Sequence, residues 1–103
     1  MTPDTVLLVD DDQQLGRFTA EVLDLAGFNV ELTALGRDGL ERVTADPGRY
    51  QAVVLDRRLP DLDGLTILNR MKGNSATRDI PVVLLTGLSS ERDITDGIDA
   101  GAY

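Results

Sequence analysis

The sequence predicts an α/β domain in which parallel strands alternate with helices, and three observations lead there. Thr5-Val6-Leu7-Leu8-Val9, Ala52-Val53-Val54-Leu55 and Val82-Val83-Leu84-Leu85 are apolar without alternation, as strands covered on both faces are. Stretches with helical periodicity, each closed by glycine or proline, lie between the strands. Each apolar run ends in a carboxylate or a hydroxyl, at the strand end where open parallel sheets keep their ligand sites.

The 103 residues suffice for one domain, expected over residues 1–103, at the small end for a sheet covered on both sides. Ten basic residues against eighteen acidic ones give a net charge of -8, which opposes direct binding of nucleic acid by this segment. The absence of cysteine excludes disulfides and thiolate metal sites. Histidine is absent as well, which removes the usual general base and transition-metal ligand. What chemistry remains belongs to carboxylates and hydroxyls, and carboxylates favour hard cations such as Mg2+. No apolar run is long enough to span a membrane and no leader opens the chain, so the cytoplasm is the expected location.

Taken in order, the first strand runs into Asp10-Asp11-Asp12. Leu15, Phe18, Val22 and Leu25 follow at helical steps, predicting an amphipathic helix with that stripe, capped by Asp12 and stopped at Gly27. Residues 28–33 form the second strand, in which Val30 and Leu32 alternate with Asn29, Glu31 and Thr33. Alternation predicts one wet face, as at a sheet edge. A short helix over residues 36–45 buries Leu40 and Val43 and ends at Asp46-Pro47-Gly48. After the third strand, Asp56 opens a loop stiffened by Pro60 and closed by Asp63-Gly64. The helix over 64–72 turns Leu65, Leu68 and Met71 inward. Asp61 and Asp63 are expected to serve the turn and this helix's start, and Arg57 and Arg58 to face solvent. The fourth strand, residues 82–85, ends in Thr86-Gly87. Ser90 and Asp93 resemble a capping box opening a last helix that carries Ile94 and Ile98 and stops at Gly101.

Right-handed crossovers and an edge-like second strand predict the flavodoxin-like order 2-1-3-4, with its switch point between strands one and three. Adjacent strands lie about 4.8 Å apart, so Asp10 or Asp11 would crowd Asp56. Carboxylates so placed hold either a proton or a cation. Beside a bound Mg2+, an exposed Asp is a plausible phosphoryl acceptor.

Val9-Asp10-Asp11, the loop from Asp56 through Pro60 to Asp63-Gly64, and Leu85-Thr86-Gly87 together resemble the receiver domains of two-component response regulators. The resemblance covers the whole chain. It implies that Asp56 is phosphorylated by a sensor histidine kinase, with no enzyme activity beyond assisting its own phosphorylation and dephosphorylation. By the same resemblance, Asp11 and Asp56 bind Mg2+ through side chains, Arg58 through its backbone carbonyl and Asp10 through water. Thr86 moves toward the phosphoryl group, and the small Gly87 leaves that group accessible. A partner or an output domain beyond Tyr103 reads the result.

Receiver domains have five strands and five helices, so the chain is expected to be a fragment ending before the fifth strand and its lysine. One helix about 10 Å wide cannot cover four strands spanning roughly 14 to 19 Å. The sequence therefore also allows a dimer through the uncovered sheet face or the edge of strand four. Two other functions compete: a receiver-shaped interaction module that is no longer phosphorylated, and a phosphatase of the haloacid dehalogenase type. The second fits less well, because Asp10-Asp11-Asp12 runs into Gln13-Gln14 where that family places a Gly-Thr or similar pair.

Overall fold

A computed structural model describes residues 4–85. Its strands are β1 (Thr5–Val9), β2 (Asn29–Thr33), β3 (Tyr50–Asp56) and β4 (Val82–Leu85), and its helices α1 (Gln13–Leu25), α2 (Gly36–Ala45) and α3 (Gly64–Lys72). Among the described residues all pairings between strands are parallel, in the order β2-β1-β3-β4, which is the flavodoxin-like order expected. Thr86, Gly87, the helix expected from Ser90 to Gly101, and Tyr103 lie outside the described residues.

Local chemistry explains where the elements stop. Asp12 caps α1 by accepting from the Leu15 amide, and Gly27 follows the helix at φ 98°, a backbone angle that side chains resist. Asp63 caps α3 by accepting from the Leu65 amide. Alternate residues of β1 and β3 then serve opposite faces. Leu7, Val9, Val53 and Leu55 join Val82, Val43 of α2, and Ile67, Leu68 and Met71 of α3 in the larger core. Val6, Leu8 and Val54 form a thinner layer against Ala20 and Leu23 of α1.

Two sequence expectations are corrected here. The stripe of α1 does not face the sheet: Leu15, Phe18, Val22 and Leu25 remain 49%, 64%, 49% and 87% exposed. The face that packs carries Gly16, Ala20 and Leu23 instead. A Cβ on Gly16 would stand 3.2 Å from Leu32 Cδ1, so small residues let the helix backbone approach closely and turn the larger ones aside.

β2 does lie at the sheet edge, but its polar side is wet only at Asn29 and is covered progressively at Glu31 and Thr33. Thr33 is buried and donates to Asp38 of α2 at 2.6 Å, while Glu31 accepts from the Tyr50 hydroxyl at 2.7 Å and from Arg49 Nε at 2.6 Å. Arg42 of α2 reaches both carboxylates, Asp38 at 3.0 Å and Glu31 at 3.7 Å. Polar residues with complementary partners can occupy a covered strand face because each retains hydrogen bonds.

Candidate functional site

β1 and β3 are neighbours in register, Val9 opposite Leu55, so Asp10 and Asp56 come side by side as the strands end. Asp10, Asp11 and Asp56 each offer a carboxylate oxygen, and these oxygens all lie within 4.8 Å of one another. Asp10 is 3% exposed; its Oδ1 accepts from the Asp12 amide at 2.9 Å, whereas its buried Oδ2 accepts no hydrogen bond from the described residues. Asp11 is exposed and Asp56 partly so.

Leaving a buried carboxylate oxygen without a partner is costly, and crowding two further carboxylates against it adds repulsion. Asp56 responds accordingly. Burial pushes its carboxyl above the ordinary range, the charges of Asp10 and Asp11 add to the effect, and the Arg58 amide, donating to Oδ1 at 3.1 Å, works against it. An oxygen-only group with one orphaned oxygen and one solvent-facing carboxylate has the donor chemistry of a hard divalent cation site.

The loop at residues 57–63 frames the group. The Arg57 amide donates to the Leu85 carbonyl at 3.0 Å, tying the start of the loop to the end of β4. The Gly64 amide donates to the Arg57 carbonyl at 2.7 Å, and a Cβ at Gly64 would stand 2.8 Å from Arg57 Cα and closer still to the Asp56 carbonyl oxygen. Only glycine lets α3 start so near the acidic strand end.

Several expectations about this loop change. Arg57 does not face solvent: its side chain is 16% exposed, with Nε 3.7 Å from Asp63. Arg58 is exposed, as expected. Asp63 serves α3; Asp61 serves the turn, accepting from the Leu62 amide, but in place of α3 it caps α2, accepting from the Gly36 and Arg37 amides at 2.8 and 2.9 Å. A hint of this was present in the sequence, since α2 begins after Leu35, which has no side-chain acceptor to cap it.

The chain belongs to the response regulator receiver domain family, whose family model matches residues 6–103. It is 37% identical over 100 residues to the response regulator MprA of Mycolicibacterium vanbaalenii, covering 97% of this chain and 42% of that protein. Identity to the DNA-binding dual master transcriptional regulator RpaA of a Synechocystis strain is 33% over 97 residues, covering 94% of this chain and 39% of the relative. The chain thus spans less than half the length of these curated relatives. Among solved structures it superposes on the chemotaxis response regulator CheY4 of Vibrio cholerae with TM-score 0.84 and 28% identity, covering 98% of this chain and 82% of that one. Among the described residues, no helix is long and apolar enough to cross a membrane.

Proposed function

We propose that this chain is a phosphoacceptor switch in which Asp56 receives a phosphoryl group from a sensor histidine kinase. The observation that carries the reading is the convergence of Asp10, Asp11 and Asp56, with an Asp10 oxygen that no described residue satisfies. Asp11 and Asp56 would hold Mg2+ by their side chains, Arg58 by its backbone carbonyl and Asp10 through water. When bound, the cation offsets the negative charge of the three carboxylates and of the incoming phosphoryl oxygens.

One Asp56 oxygen attacks phosphorus in line. A P–O bond to the carboxylate forms as the P–N bond to the kinase imidazole breaks, and the electron pair of that bond returns to the ring. The Arg58 amide, donating to Oδ1, keeps the Asp56 carboxylate oriented. Thr86 follows Leu85, whose carbonyl accepts from the Arg57 amide, and by family resemblance its hydroxyl turns toward the new phosphoryl group while Gly87 leaves room. A second arrangement of the surface around β4 is then read by an output domain or effector. Likeness to RpaA makes a DNA-binding output our first choice.

Mass spectrometry after incubation with acetyl phosphate and Mg2+ tests the proposal. A single phosphoryl mass increment, however slowly it accumulates, is expected in the wild type and not in Asp56→Asn. Labelling that persists in Asp56→Asn, or that proceeds equally in EDTA, would remove Asp56 or the cation from the reaction.

A further inference from the structure

The start of α2 has no cap of its own. Leu35 stands at the N-cap position, leaving the amides of Gly36 and Arg37 without a local acceptor. Asp61, near the middle of the 57–63 loop, supplies both bonds: Oδ1 accepts from Gly36 and Oδ2 from Arg37, while Oδ1 also accepts from the Leu62 amide at 3.0 Å. The helix start and the loop touch with little slack. A Cβ on Gly36 would lie 2.9 Å from Ile67 Cδ1, 3.1 Å from Leu62 Cβ and 3.2 Å from Asp61 Oδ1.

The loop so anchored adjoins the acidic site. Its first residues follow Asp56 directly, the Arg58 amide holds Asp56 Oδ1, and an isolated bridge joins Arg58 to Asp63. We propose that Asp61 is a positioning residue for the acidic site: by capping α2 from across the chain, it holds the loop so that the Arg58 carbonyl faces the cation. This inference rests on the reading of Asp11, Asp56 and the Arg58 carbonyl as the Mg2+ ligands. A partner that orients a ligand without touching the metal commonly changes affinity by on the order of 10- to 100-fold.

The experiment compares wild type, Asp61→Ala, Asp61→Asn and Asp56→Asn by Mg2+ titration calorimetry, with amide exchange at Gly36 and Arg37 followed by NMR. All titrations are run well below the thermal midpoint of the weakest variant. Asp61→Ala is expected to bind Mg2+ on the order of 10-fold more weakly, with faster exchange at both amides. Asp61→Asn keeps one acceptor oxygen and should fall between; it carries the comparison if the alanine variant does not fold. Faster exchange with unchanged Mg2+ affinity would reduce Asp61 to a helix cap and overturn the inference while leaving the acidic site standing. A wild type that binds Mg2+ no better than Asp56→Asn would overturn the site and the inference together.

Discussion

Two groups of carboxylates share this small sheet, and the protein treats them in opposite ways. Beside β2, Glu31 and Asp38 are surrounded by donors from the chain itself. The Tyr50 hydroxyl, then Arg49 and Arg42, hold the Glu31 carboxyl below its ordinary range, and the Thr33 hydroxyl and Arg42 do the same for Asp38. At the strand ends, Asp10, Asp11 and Asp56 have one another for neighbours, one buried oxygen goes without a hydrogen bond from the described residues, and the Asp56 carboxyl is pushed up. The first group is complete within the fold. The second has the character of a site to be completed by a ligand, and that asymmetry separates scaffold from function more clearly than the count of acidic residues does.

The largest expected effect falls on the incomplete group. Asp56→Asn should abolish phosphoryl labelling by acetyl phosphate outright while Glu31→Gln leaves it intact, as intact-mass measurement would show; equal labelling of the two variants would erase the contrast. Next in size, Mg2+ at about 100 times its dissociation constant should stabilise the wild type by about 2.7 kcal/mol, through preferential binding to the folded state. Calorimetric melts in Mg2+ and in EDTA would check this, and the gain should persist in Glu31→Gln. Asp11→Asn, which removes a proposed direct ligand, should weaken Mg2+ binding by on the order of 10-fold or more, a lower bound taken from the effect of indirect partners. Unchanged binding would exclude the Asp11 side chain from the site.

The smallest expected effect concerns the complete group. Glu31→Gln leaves a neutral acceptor for Tyr50 and Arg49, and the expected loss is about 1 kcal/mol at neutral pH, reduced by partial exposure. Its pH dependence sharpens the comparison. The folded-state pKa of Glu31 lies below the unfolded 4.5, so its contribution is present above that pH and lost as pH falls through the folded value. Tyr50 behaves in reverse: burial and its hydrogen bond to Glu31 raise it from 10.0 to about 12, so its contribution is complete below pH 10 and lost as pH rises toward about 12. Urea melts across both windows should show Glu31→Gln flattening the acid limb. An acid limb identical to that of the wild type would place the pH sensitivity elsewhere.

Much of the architecture was legible because its signals are local. β1, α2, α3 and β4 have the bounds that their apolar runs, caps and stops predict, and the two strands that end in Asp converge because the strand order sets them beside each other. The face of α1 was not legible. Leu15, Phe18, Val22 and Leu25 make the stronger stripe on paper, but the distance between helix and sheet is set by Gly16 and Ala20, and periodicity carries no information about distance. Nor could spacing assign Asp61 to a helix start 25 residues earlier in the chain. The covered part of the polar row of β2, Glu31 and Thr33, was misread for a related reason: alternation reports polarity, whereas burial depends on whether α2 offers Asp38 and Arg42 as partners.

Gly64 carries a last consequence. Its missing side chain is what allows the turn after Asp56 to fold back on itself within contact distance. Position 64 is therefore a place where one added methyl group, bearing no charge and forming no bond, would act as a wedge driven between the acceptor and the helix behind it. Here the chemistry of the site depends on an atom being left out.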